Sequence, residues 1–385
     1  DQNILTILNG ANMEVFYQYL YYSIFIISSG LYSQFRLPEL NPKIPMKFFS
    51  IQFCVYKRSL YFIHLDMKQQ IIPNSEIEGI NYFNDPDIYY KGQLLINSKF
   101  HPGNFADYYG KAISFESRLS VIVFSNFNEE FSIFLESILN NSRYTQQIKF
   151  TDYEKNSPIF NLEKVTQTNI EKFQFTNSNF SIIENFMKGI QNSKCQIKRI
   201  KIASIKMNQT ELINFFYNLN KITSFSSLVS FSLNDVGSDQ ISEFPMNVFG
   251  QFLQIHEKIE VISLSNVNVD GSTVFWEIIT KAKTLYEIHL NRLNFDQPLN
   301  QDIRLPRTLV LVDFSHSKFK NTTLRLVLEL FTSPGSEASG LKVNMGYIEP
   351  RDNTFINAYK GLAQTNCLSN ISEANWSGNH LSPDL

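Results

Sequence analysis

The chain has 385 residues, more than one hydrophobic core usually holds, so two domains or a domain plus a repeat array are expected. It is 43% hydrophobic and only 18% charged, a composition that excludes a mostly disordered chain. Formal net charge is −2, with 11 Lys and Arg against 13 Asp and Glu up to residue 145 and 23 against 23 beyond it. Neither half therefore carries the basic field of a nucleic-acid binder.

Three cysteines, Cys54, Cys195 and Cys367, lie far apart with no CxxC pair. That fits a reducing compartment, and no disulfide framework, structural metal or cofactor is expected. Six N-x-S/T sequons, at Asn140, Asn179, Asn208, Asn321, Asn370 and Asn375, point instead toward secretion. A chain rich in Asn and Ser acquires several of these by chance.

Residues 1–43 form a first segment. Within it, residues 15–35 (VFYQYLYYSIFIISSGLYSQF) carry no charge between Glu14 and Arg36 and are long enough to span a bilayer as a helix. Gln18, Ser23, Ser28, Ser29, Gly30 and several tyrosines dilute the apolar character, and no positive region precedes the stretch. A buried packing element is the expectation.

Residues 44–145 read as a small antiparallel β-barrel closed by a helix, the plan of a pleckstrin-homology-like (PH-like) domain. The β-rich runs IPMKFFSIQFCVY and RSLYFIHLD are followed by QIIPNSEIEGINYF, DIYYKGQLLIN and SRLSVIVF. The helical stretch FNEEFSIFLESILNN then aligns Phe131, Phe134, Leu135, Ile138 and Leu139 on one face. Lys57 and Arg58 are the candidate lipid-binding residues. The balance of −2 up to residue 145 argues for weak membrane association rather than a strong anionic-lipid site. Residues 146–169 are expected to be a linker or capping segment.

A repeat occupies residues 170–385. Apolar residues recur at positions 1, 4, 6 and often 9 and 11, as in Ile197-Ile200-Ile202-Ile205-Met207, Ile259-Ile262-Leu264-Val267-Val269 and Leu285-Ile288-Leu290-Leu293-Phe295. Eight units begin at residues 170, 197, 228, 259, 285, 309, 340 and 371, and the last is incomplete. The template matches the leucine-rich repeat L-x-x-L-x-L-x-x-N-x-L, although only Asn379 supplies the asparagine at position 9. Between these strands, runs such as Phe180, Ile182, Ile183, Phe186, Met187 and Ile190 have helical spacing. The fold class expected is α/β: a ribonuclease-inhibitor-like leucine-rich-repeat horseshoe preceded by the PH-like barrel. In the unit at 285, two prolines reduce the expected helix to a turn.

Such an array leaves its polar strand residues on a broad concave sheet, which suits protein docking better than chemistry needing a dry cleft. The candidate protein-binding residues are Lys198, Arg199, Lys201, Asn234, Asp235, Glu260, Asn266, Glu287, His289, Arg292, Asp313 and His316. Ser263, His289 and Asp313 share the central strand position in consecutive units, the contact order of a hydrolase triad. No G-x-S-x-G elbow accompanies them, so a polar ladder is the expected reading. His289 and His316 lie three positions apart, about 10 Å along a strand, too far to share one metal ion.

A PH-like domain joined to these repeats resembles the amino-terminal part of the CARMIL family, the capping-protein, Arp and myosin linker scaffolds. RSLYFIHLDMKQQIIPNSEIEGI is similar to the family's PH strand-turn-strand, and ISEANWSGNHL to its repeat units; the likeness spans roughly residues 44–385. It implies a dimerising, non-enzymatic scaffold at the cytoplasmic side of the plasma membrane or the cell cortex, with actin-regulatory protein partners. The family's capping-protein-binding tail maps to no residue of this sequence. The alternative is a cell-surface or secreted leucine-rich-repeat recognition protein.

Overall fold

A computed structural model describes residues 50–56, 59–65, 89–90, 93–96, 120–126, 131–142, 144–153, 160, 162–165, 168–236, 243–269, 273–295, 303, 305–332, 340–348 and 371–379. The chain divides into two units, Asp1–Gln146 and Gln147–Leu385. The charge-free stretch at 15–35 and the candidates Lys57 and Arg58 lie outside the described residues. Among the described residues no helix is long and apolar enough to cross a membrane.

In the first unit, β1 (Ser50–Tyr56) and β2 (Ser59–Leu65) form an antiparallel hairpin, Tyr56 opposite Ser59. β3 (Tyr89–Tyr90) turns back antiparallel onto β4 (Gln93–Ile96). β4 then pairs in parallel with β5 (Val121–Ser125), Leu94 opposite Ile122 and Ile96 opposite Phe124. This departs from the antiparallel meander expected across residues 44–125. A parallel pair cannot be closed by a hairpin and needs a crossover connection. Helix α1 (Phe131–Asn141) buries the residues expected of it, Phe131, Phe134, Leu135, Ile138 and Leu139. Phe124 of β5 packs on Phe131 and Phe134, at ring separations of 5.9 and 6.0 Å.

The second unit is a mixed α/β, solenoid-like array. Its strands are β6 (Gln147–Thr151), β7 (Lys172–Thr176), β8 (Arg199–Ala203), β9 (Ser230–Asn234), β10 (Val261–Ser265), β11 (Glu287–Asn291), β13 (Leu311–Asp313), β15 (Leu341–Asn344) and β16 (Ile371–Asn375). Each is hydrogen-bonded in parallel to the next in that order. Two short strands, β12 (Asn294–Phe295) and β14 (Lys318–Phe319), pair separately. Eight of the nine long strands coincide with the eight units read from the sequence. The ninth, β6, lies in the stretch expected to be a linker or cap. Its Ile148, Phe150 and Tyr153 occupy positions 4, 6 and 9, in register with β7.

Helices α2 (Ser181–Ile190), α3 (Gln209–Lys221), α4 (Met246–Ile255), α5 (Thr273–Lys281) and α6 (Asn321–Thr332) provide the crossovers. α3 starts at a capping box: the Asn208 side chain accepts from the Glu211 N–H at 2.9 Å, and Glu211 accepts from the Asn208 N–H at 2.8 Å. The region expected to turn in the unit at 285 falls largely outside the described residues.

All five helices lie on the buried side. The sheet residues at positions 4 and 6 meet them in a core dominated by phenylalanine. Phe186 of α2 contacts Phe150, Phe160, Phe173 and Phe175, at ring separations of 4.9 to 5.9 Å. Phe231 of β9 packs on Phe216 and Phe252. One buried face and one solvated face is unusual for a parallel sheet, which is commonly covered on both. Here the five described helices all return on one side.

Two ladders lock one repeat to the next. Past the strand ends, at position 8, the backbone enters the left-handed region: Asp152, Asn177, Ser204, Asp235, Asn266, Arg292, His316 and Tyr347 have φ between 48° and 62°. The N–H of each donates to the position-7 carbonyl of the following unit, as in Asp152 to Thr176, Asp235 to Ser265 and Tyr347 to Ser377. Asn and Asp tolerate this conformation; Ser204, Arg292, His316 and Tyr347 bear a cost of about 1–2 kcal/mol each, offset by the bond.

The second ladder runs through position 9. Asn379 accepts from the Ile348 N–H at 2.8 Å and donates to the Met345 carbonyl at 2.6 Å. Ser317 does the same one-atom-shorter work, accepting from Leu293 N–H at 3.0 Å and donating to the Leu290 carbonyl at 2.6 Å. Ser178 accepts from the Tyr153 N–H at 3.1 Å. The ladder is thus interrupted at the apolar position-9 residues, such as Val236 and Val267, and half-made at Ser178, whose hydroxyl donates to the Thr176 carbonyl of its own unit at 2.8 Å.

Candidate protein-docking face

The solvated face of the sheet displays positions 3, 5 and 7 of each unit. Strand register aligns them into rows. Position 3 runs Gln147, Lys172, Arg199, Ser230, Val261, Glu287, Leu311 and Lys342. Position 5 runs Lys149, Gln174, Lys201, Ser232, Ser263, His289, Asp313 and Asn344.

Of the residues expected here, Arg199, Lys201, Glu287, His289 and Asp313 occupy these two rows and Asn234 occupies position 7. Lys198 and Glu260 stand at position 2, before the strands begin, and the Lys198 ammonium pairs with Glu171 at 2.5 Å. Asp235, Asn266, Arg292 and His316 are corrected from sheet face to rim: they are the left-handed residues past the strand ends. There the Asn266 amide donates to Asp235 at 2.7 Å, and the His316 ring stacks on Tyr347 at 4.7 Å. Apolar periodicity shows which residues point inward, but not where an outward strand stops and its turn begins.

Three cations of these rows went unrecognised in the sequence: Lys149, Lys172 and Lys342, the last paired with Glu373 at 2.8 Å. Lys172 is at position 3 of β7, and Lys149 belongs to β6, within the supposed linker. The signal that finds Lys149 is the alternation Gln147-Ile148-Lys149-Phe150, with Tyr153 placed 25 residues before Ser178; Lys172 follows from the same alternation in the unit at 170, Lys172-Phe173-Gln174-Phe175.

The face is electrically graded. β6 to β8 carry Lys149, Lys172, Arg199 and Lys201, and no carboxylate occupies positions 3, 5 or 7 of these strands. Burial and the neighbouring charges of Lys201 and Arg199 push the Lys172 ammonium below its usual range. Gln147 donates to Gln174 at 3.0 Å and Gln174 donates to Thr176 at 3.1 Å, tying the amides between the cations. β9 and β10 present Ser230, Ser232, Asn234, Ser263 and Ser265, without charge. β11 and β13 then bring Glu287 and Asp313 to either side of His289.

His289 sits 3.5 Å from Asp313 through Nδ1 and 3.3 Å from Glu287 through Nε2. The hydrogen bond to Asp313 raises its pKa most; burial opposes this and Glu287 adds to it. Burial works to raise the Asp313 pKa, but His289, the Ser315 N–H, Asn291 and the Ser315 hydroxyl outweigh it and hold the carboxyl at about 2. Ser263 is registered opposite His289, as the sequence suggested. Both ring nitrogens face carboxylates, however, which leaves neither aimed at the Ser263 hydroxyl for general-base work. Among the described residues, no group of three or more His, Cys, Asp or Glu side chains is arranged to hold a metal ion.

No protein-family model matches the sequence, and no curated protein matches it.

Proposed function

We propose that this chain is a non-enzymatic interaction scaffold, built as a ribonuclease-inhibitor-like leucine-rich-repeat domain that docks a protein partner on the open face of its sheet. The observation that carries this reading is the row register. Successive parallel strands hold outward side chains at a constant spacing of about 4.8 Å, on a face that none of the five described helices covers. Such a face offers many weak, ordered contacts and little exclusion of water, the conditions for recognition rather than catalysis. The resemblance to the CARMIL family supplies the setting: cytoplasmic, at the cell cortex, with actin-regulatory partners. Weak membrane association through Lys57 and Arg58, and homodimerisation, belong to the same proposal.

The test is affinity purification of the full chain from its native cell, wild type against a Ser232→Trp/Ser263→Trp variant that obstructs the middle of the face. Actin regulators recovered with wild type and lost with a variant of unchanged circular dichroism are the expected result. Equal recovery from both would refute face docking. Glycan occupancy at the exposed Asn208 or Asn375, with surface labelling, would instead support the recognition-protein alternative.

A further inference from the structure

We infer that the open face takes one extended segment of a partner protein, laid across the strands, acidic over β6 to β8 and basic over β11 and β13. The inference rests on the docking reading above and gives the occupant its chemistry.

Charge complementarity selects it. Lys149, Lys172, Arg199 and Lys201 lie in two adjacent rows over three neighbouring strands. Among the described residues, none of the four makes an ion pair with a carboxylate of this chain. Like charges held this close raise one another's cost, and a bound carboxylate relieves it. The cations are spread over about 10 Å across the strands, which suits several single carboxylates better than one phosphate.

The other end of the face decides against a long polyanion. Glu287 and Asp313 begin about 14 Å beyond β8, three strand spacings away. An anionic bilayer or nucleic acid seated on the cations would run onto these carboxylates. A short acidic run ends before them. Between the two lies an uncharged stretch centred on Ser232 and Ser263. In the position-3 row the half-buried Val261 of β10 and Leu311 of β13 stand on the two sides of Glu287 and offer apolar contact.

Spacing turns this into a sequence pattern. An extended chain advances about 3.3 Å per residue, so crossing from β8 to β11 takes about four or five residues. The segment is therefore a run of Asp or Glu, about four uncharged residues, then Lys or Arg. Separation exceeds the Debye length of about 8 Å at physiological salt, so the two ends act nearly independently.

The probe is a fluorescein-labelled peptide with a run of glutamates, about four Ser and Gly residues and a Lys-Arg pair, titrated against the full chain by anisotropy. A second peptide of the same composition has the basic pair inside the glutamates, and phosphatidylserine vesicles form a third arm. Expected results are preference for the ordered peptide and a loss of roughly tenfold in affinity on Arg199→Glu/Lys201→Glu. Glu287→Lys should weaken the ordered peptide without affecting one lacking the basic pair. Equal binding of both peptides, or preference for vesicles that the Arg199→Glu/Lys201→Glu variant abolishes, would overturn the inference. Should neither peptide bind while Ser232→Trp/Ser263→Trp still removes the cellular partner, face docking stands and the charge order falls.

Discussion

Replacing Ser317 with alanine tests whether position 9 carries the lock between repeats. Ser317 is 1% exposed; its hydroxyl accepts from the Leu293 N–H and donates to the Leu290 carbonyl. The substitution removes two hydrogen bonds and leaves a buried donor and acceptor unmet. At about 1 kcal/mol per bond, with a further charge for the stranded N–H, the loss is about 2–3 kcal/mol. A repeat array can unravel in parts, so a single melting temperature blurs this cost. Hydrogen exchange at the Leu293 amide reads it locally: 2–3 kcal/mol corresponds to exchange roughly 30- to 150-fold faster. Ser317→Asn should recover most of the protection, because Asn379 makes the equivalent two bonds. Ser263→Ala, on the open face, should change stability by less than about 0.5 kcal/mol. Unchanged Leu293 exchange in Ser317→Ala would refute the lock.

Gly189→Ala should destabilise by about 1–3 kcal/mol or more in thermal unfolding, because a methyl group there lies 2.5 Å from the Phe160 carbonyl oxygen, which belongs to backbone and cannot swing aside. Asn208→Ala should cost about 1 kcal/mol in urea unfolding by opening the α3 capping box, whereas Asn208→Asp should retain most of it. The two histidines should oppose each other in pH. The folded pKa of His289 is raised above 6.5, so its contribution is complete below 6.5 and is lost as pH rises through the folded value. Burial depresses His256 below 6.5, so its contribution holds above 6.5 and is lost as pH falls from there toward the folded value. Stability measured from pH 8 to 5 should show the wild-type advantage over His289→Gln growing toward acid, and that over His256→Leu shrinking.

The eight strand positions were legible because burial imposes a short pattern. Ile200 and Ile202, or Ile262 and Leu264, alternate with polar neighbours, and only a half-covered strand needs that alternation. The same rule extended to Ile148 and Phe150 reveals β6 and, with it, Lys149. Other features left no comparable trace. Arg292 and His316 are unusual residues for left-handed backbone, accepted because the ladder to Ser315 and Gly346 holds them there. Nothing in LLI or VIVF distinguishes a parallel from an antiparallel partner, so the pairing of β4 with β5 is seen only in the tertiary structure.

By itself, then, the sequence determined the repeat, its period, and which side chains are withdrawn from water, since each strand and helix carries its own apolar periodicity. Tertiary structure decided which outward residues become neighbours. Lys172 and Arg199 are 27 residues apart and meet because their strands pair in register, as do His289 and Asp313 across 24. The graded charge of the face is thus a property of register, which hydrogen bonding between repeats sets and no local stretch of sequence contains.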